Sequence, residues 1–288
     1  MNLRKSDLFD GKITAVRIVV AYLFAKFSLE FAYNFFDAPK GSYFAIDLVQ
    51  LAVFYLLIVA FIFPNKLPLR SIIWGNLYTK KIELNIANIL LVIIFGIVFR
   101  YGVLILQIIY DNAFNIDLQG HIDEMHLLAS NGINEYINLS LLSKVTISPM
   151  IEEFVYRGCL LGYLLSRYRA SRAILLSAII FGVFHGIGGF TSAFLGGILF
   201  ASIYIVFRNL FLSFAVHGAV NLFISLSPGL IVKITPFSLT DLQQNPLLAI
   251  SLLPGLMVIV FVISILIYFW NKKLESPFPI GMIKEYRK

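Results

Sequence analysis

Residues 86–110 read IANILLVIIFGIVFRYGVLILQIIY, 25 residues in which Arg100 is the only charged side chain. A helix needs about 20 apolar residues to cross the hydrocarbon core of a bilayer, so the reading of this stretch decides the fold. Seven further stretches qualify or nearly qualify: roughly 14–35, 46–63, 147–166, 172–188, 190–207, 209–227 and 248–270. In lipid every backbone polar group must be satisfied within its own segment, and the alternating pattern that a membrane barrel requires is absent. The expected fold class is all-α: a polytopic membrane protein of about eight transmembrane helices, with 1–288 forming a single membrane domain.

Composition agrees. Of the 288 residues, 59% are hydrophobic and 14% charged, with a mean hydropathy of +0.85, whereas about a quarter of a soluble domain is charged. No stretch has the balance of a separate water-soluble catalytic domain. The net charge of +7 does not point to nucleic acid. The basic residues form short clusters beside apolar runs (Arg4 and Lys5, Lys80 and Lys81, Arg167 to Arg172, Lys272 and Lys273) and do not line one polar face. The clusters fall on alternate connections and leave only Lys40, Lys144 and Lys233 on the opposite side. The positive-inside rule then places both termini in the cytoplasm of a multi-pass protein, read as one of a bacterial cytoplasmic membrane. The run 13–36 is too long for a signal peptide and no small-residue cleavage site follows, so it is expected to remain as the first span.

Two further features bound the reading. Cys159 is the only cysteine, which rules out an intramolecular disulfide and leaves packing as its expected role. The longest outer connection, Asp111 to about Lys144, is acidic and reads either as a solvated loop or as a lid, with Tyr136–Val145 as a short interfacial helix. Its His121 and His126 read as loop residues. No internal repeat of the transporter kind is evident.

Ionisable residues in a membrane interior cost roughly 2.5–3.5 kcal/mol each, so each asks for a partner or a function. The second half of the chain gathers several. Ser148 and Pro149 read as an N-cap and first-turn proline, followed directly by Glu152, Glu153 and Arg157. Glu153 and Arg157, four apart, are expected to pair on one helix face, while Glu152 points about 100° away and stays available. His185 ends the next span. His217 lies within a later one, with Asn221 four residues on and therefore on the same face.

A carboxylate and a histidine can together activate water for attack on an amide carbonyl, and a second histidine with an asparagine can donate hydrogen bonds to the tetrahedral oxyanion. Glu152, His185 and His217 could instead hold zinc with an open position for water. Spacing does not separate these two readings. There is no HExxH helix, and Ser148 and Cys159 lack the partners of a nucleophilic triad.

The three segments resemble the motifs of the CAAX-protease and bacteriocin-processing (CPBP, Abi) family: EExxxR as Glu152 to Arg157, FxxxH as Phe181 to His185, and HxxxN as His217 to Asn221. The resemblance covers a motif-bearing catalytic core at 145–227. It implies an eight-helix intramembrane endopeptidase, a peptide hydrolase of the glutamate or metalloprotease type, acting on membrane-associated or lipidated peptides within the lipid bilayer. Carried onto this chain, it makes Glu152 and His185 the water-activating pair and His217 and Asn221 the oxyanion donors, with Glu153 and Arg157 in support. It leaves open whether zinc is required. By the charge rule the site is expected in the outer half of the membrane, opening away from the cytoplasm.

Two other classes compete. A transporter or proton relay could use the same Glu and His pairs, extended through Lys26, Glu30 and Arg100, although Lys26 and Glu30 are four apart and could simply pair with each other. A non-catalytic membrane partner or bacteriocin-immunity protein of the same fold is the other. Retained chemistry is expected from the complete motif set.

Overall fold

The structure, a computed structural model, describes residues 16–26, 49, 52, 56, 85–113, 139–226, 250, 252–272 and 274. Among these residues the secondary structure is entirely helical. The helices are α1 (16–26), α2 (Ile86–Ala113), α3 (139–165), α4 (Ala170–Val183), α5 (Gly186–Phe207), α6 (Leu210–Leu226) and α7 (Leu253–Phe269). Val49, Ala52 and Leu56, inside the expected span 46–63, are also helical; the rest of that span, Glu30, the His121 and His126 loop and both termini lie outside the described residues.

Local chemistry accounts for the helix ends. Asn85 caps α2 by accepting a hydrogen bond from the Asn88 amide (2.8 Å), and Asn209 caps α6 in the same way from the Leu212 amide (3.1 Å). Arg208 takes a left-handed conformation (φ 51°) and closes α5. Pro254 sits in the first turn of α7, where its missing N–H is not needed. Between α4 and α5 the turn is made by Phe184 and His185, with Gly186 at φ +70°, a conformation that glycine adopts at little cost. The turn is short, because α5 already begins at Gly186.

The start of the fourth expected span is corrected. Ser148 and Pro149 do not open a helix: α3 runs without a break from Leu139. Its backbone switches register twice, with π-helical turns at Ser143–Ile147 and Glu153–Leu161. An interior proline removes one amide and crowds the carbonyl a turn earlier. The wider π turn just before Pro149 provides the room, which is why the local rule for a first-turn proline misplaces this end. Residues 139–145, expected as a separate interfacial helix, are the first turns of α3. Glu152 and Glu153 therefore lie deep within their helix and not in its first turns.

Helix α5 is central. One side of it (Ile198, Ala201, Tyr204, Ile205) packs with Ile18, Tyr22, Val155, Cys159 and Ile174 from α1, α3 and α4. The other side (Leu199, Phe200, Ile203) packs with Phe99, Val216 and Val258 from α2, α6 and α7. Cys159 is fully buried, as its packing role requires.

The polarity is distributed for an apolar surrounding. Leu90, Leu91 and Ile94 on α2 and Leu256, Val260 and Ile263 on α7 are exposed, while Lys26, Glu152, Glu153, Arg157 and His217 are buried. Among the described residues two helical stretches, Ile86–Ile109 and Gly189–Phe207, are long and apolar enough to cross a membrane; α4, α6 and α7 are apolar but shorter.

Candidate active site

The residues singled out by the sequence come from three chain segments, and four helices bring most of them together. Glu152 and Glu153 are adjacent on α3, at the junction where α-helical geometry passes into the long π stretch. π turns inside α-helices are rare and concentrate at functional sites. Adjacent residues on a helix point about 100° apart, so the two neighbouring carboxylates enter different surroundings.

Glu153 is completely buried and fully engaged. Its Oε1 lies 3.0 Å from Arg157 Nη1 and accepts from His217 Nδ1 at 2.9 Å. Its Oε2 accepts from the Ser213 hydroxyl at 2.5 Å. The expected pairing with Arg157 is present. The Arg157 guanidinium also lies 4.4 Å from the centre of the Phe181 ring and 5.2 Å from that of Phe200, so aromatic faces take up part of its charge.

Glu152, also buried, is held more loosely. Its Oε1 has the Lys26 ammonium and the Ser148 hydroxyl each at 3.4 Å and His185 Nε2 at 4.0 Å, while its Oε2 faces His217 Nε2 at 3.9 Å. Glu152 points away from the Glu153–Arg157 pair, and a different cation, Lys26, 126 residues away in sequence, reaches it. Lys26 accordingly has a partner other than Glu30.

The two histidines are oriented alike. His185 Nδ1 lies 2.7 Å from the Phe181 carbonyl oxygen, which can only accept, so Nδ1 carries the proton. His217 Nδ1 donates to Glu153 by the same logic, since a carboxylate paired with arginine is an acceptor. Each ring therefore turns Nε2 toward Glu152. Stacking fixes the planes: His217 lies parallel to Phe200 (4.4 Å, 17°), and His185 lies against Phe181 (4.4 Å).

Asn221 is one turn beyond His217, and its amide nitrogen donates to the Lys144 carbonyl at 2.9 Å. That carbonyl is five residues before Pro149, in the π turn where proline supplies no amide, so the Asn221 side chain fills a gap that proline creates. The neighbouring Val145 carbonyl rests against Gly218, where a Cβ would collide with it. One of the two Asn221 amide hydrogens is used in this way; among the described residues no contact joins Asn221 to Glu152.

A zinc ion does not fit this donor set as arranged. Among the described residues, no group of three or more His, Cys, Asp or Glu side chains is placed to hold a metal ion, and the Glu152 oxygen nearer His185 already carries the Lys26 ammonium.

Sequence reasoning missed Lys26, Ser213 and Phe200 as members of this cluster. Ser213 was findable: Ser213, His217 and Asn221 recur every four residues and so form one stripe of α6. Phe200 gave no such signal among 27 phenylalanines.

Comparison with known families covers this same region. Residues 135–223 match the family described as type II CAAX prenyl endopeptidase Rce1-like. The match covers under a third of the chain, the part that carries the three motifs. The matched span holds Glu152, Glu153, Arg157, His185, His217 and Asn221, and it leaves out α1, α2 and α7. The family is one of membrane proteases, in keeping with the apolar helices seen here. No curated protein and no solved structure matches the chain.

Proposed function

We propose that the chain is an intramembrane endopeptidase that hydrolyses a peptide bond of a membrane-associated or lipidated substrate with water activated by Glu152. The observation that carries this reading is the convergence of two imidazole Nε2 atoms, from α6 and from the turn after α4, on the separate oxygens of one buried carboxylate. Gaps of 3.9 and 4.0 Å are too long for direct hydrogen bonds and suit a bridging water.

The chemistry follows from the acceptors. Water between Glu152 and His185 Nε2 donates to both, which turns a lone pair toward an incoming carbonyl carbon. Glu152 takes the proton as the C–O bond forms. The oxyanion that develops needs a donor. His217, held through Nδ1 by Glu153, can supply one from Nε2 when its ring carries both protons. The remaining Asn221 amide hydrogen is the second donor. Collapse of the tetrahedral species passes the proton from Glu152 to the departing amine, so one water is consumed and a carboxylic acid and an amine are released. Arg157 and Ser213 hold Glu153 in place. Eight spans, cytoplasmic termini and a site opening on the outer side complete the proposed arrangement.

The test is cleavage of a library of transmembrane and lipidated peptides in proteoliposomes. Wild type should cut a subset of them, and His185→Ala and His217→Ala should each lose about 10²-fold or more in rate, the usual scale for removing an acid–base group. Cleavage undiminished by either substitution would reject the site. Rescue of a cellular phenotype by both inactive variants would favour a scaffold role instead.

A further inference from the structure

Lys26 is a buried cation outside the matched family segment, and among the described residues its charge is met by Glu152. A lysine in an apolar interior costs roughly 2.5–3.5 kcal/mol unless it is partnered. Its 8% exposure and the 3.4 Å approach of its ammonium to Glu152 Oε1 show where the compensation comes from. Helix α1 is built to aim it there. Ile18, Tyr22 and Lys26 recur every four residues on a buried face of α1, and Tyr22 meets Tyr156 of α3 edge to face, with ring centres 6.2 Å apart. Tyr156 lies one turn after Glu152, so the aromatic contact and the ion pair anchor α1 at two successive levels of α3.

The two adjacent glutamates thus have separate cations. Arg157 serves Glu153 from the same helix at 3.0 Å. Lys26 serves Glu152 from another helix at 3.4 Å, and on one oxygen only. That asymmetry matters for a base. With Oε1 drawn toward Lys26 and Ser148, the carboxylate is fixed in rotation, with Oε1 held on the His185 side and Oε2 facing His217.

We propose that Lys26 is a positioning residue for Glu152: its charge orients the carboxylate for proton abstraction, and α1 is therefore part of the active site although the family match begins only at residue 135. This rests on the proposed role of Glu152 as the base. It makes the chemistry dependent on a helix that contributes nothing to the EExxxR, FxxxH and HxxxN motifs.

The experiment compares full-length wild type, Lys26→Met, Lys26→Arg and Glu152→Gln in proteoliposomes, with kcat and KM measured separately and thermal unfolding followed in detergent. Lys26→Met keeps the length of the side chain and removes the charge. It should lower kcat about 10- to 100-fold with KM within about twofold, the pattern of an interaction that acts on the chemical step. Lys26→Arg should restore kcat to within about fivefold of wild type by returning a cation to the same place. Equal kcat in Lys26→Met and wild type, with Glu152→Gln inactive, overturns the positioning role and leaves the proposed base intact. Equal loss in Lys26→Met and Lys26→Arg, or loss matched by collapse of the unfolding transition, makes Lys26 structural and overturns it as well. Full activity in Glu152→Gln removes the base and this inference with it.

Discussion

Replacing Glu153 separates charge from hydrogen bonding in the buried network. In Glu153→Gln the side chain keeps its size. With its amide oxygen in the place of Oε1, it still accepts from His217 Nδ1, and Ser213 can turn its hydroxyl to the Phe200 carbonyl, 3.2 Å away. What is lost is the negative charge beside Arg157, whose side chain is 1% exposed and 3.0 Å from Glu153 Oε1. Removing one partner of a buried ion pair typically costs about 3–5 kcal/mol, because the remaining charge is stranded. The aromatic faces of Phe181 and Phe200 offset part of this, each such contact contributing about 0.5–2 kcal/mol, so Glu153→Gln should fall near the lower bound and Glu153→Ala, which also opens a cavity, near the upper one. At about 2–4 °C per kcal/mol, the expected drop in unfolding midpoint is roughly 6–12 °C for Gln and 10–20 °C for Ala. Thermal unfolding in detergent, read by intrinsic fluorescence and by loss of the monodisperse species, measures it. The double variant Glu153→Gln, Arg157→Met should recover much of the loss, since no charge is then left unpaired. A Gln variant as stable as wild type, or a double variant less stable than the single one by the sum of both effects, would refute the reasoning.

Two other outcomes follow from the geometry. Gly218→Ala places a methyl group against the Val145 carbonyl, a backbone atom that cannot swing aside. It should cost about 1–3 kcal/mol, the usual range for overpacking, and reduce kcat more than KM because His217 is the next residue; a thermal melt and steady-state rates check both. Incubation with a strong chelator should leave activity unchanged, since no step above uses a metal; loss of activity restored by added zinc would return Glu152, His185 and His217 to the status of ligands.

Much of this molecule could be read from composition and spacing, for identifiable reasons. Runs such as 86–110 declare themselves because lipid solvates no backbone polar group, so apolar length alone signals a helix. The pairing of Glu153 with Arg157 follows from helical periodicity within one segment. The rest depended on tertiary contact. Glu152 has no cation within its own helix turn, and nothing in the local sequence says that Lys26 will reach it across 126 residues. Pro149 misled for another reason. A proline after a serine looks like a helix start, and only the π turn at Ser143–Ile147, with Asn221 donating to the Lys144 carbonyl, shows how the chain accommodates it inside a helix. Asn221 was read as a donor to the substrate, and the structure gives one of its amide hydrogens an additional task in holding α6 to α3.

The central claim is that Glu152 activates water for peptide hydrolysis inside the membrane. The most direct measurement is single-turnover cleavage of a lipidated peptide by purified, reconstituted protein in ¹⁸O-labelled water, with products resolved by mass spectrometry. Wild type should give two fragments whose masses sum to the substrate plus one water, with the label in the new carboxylate, and Glu152→Gln, folded and equally stable, should give about 10²-fold less or none. Labelled fragments formed at the same rate by Glu152→Gln would contradict the account.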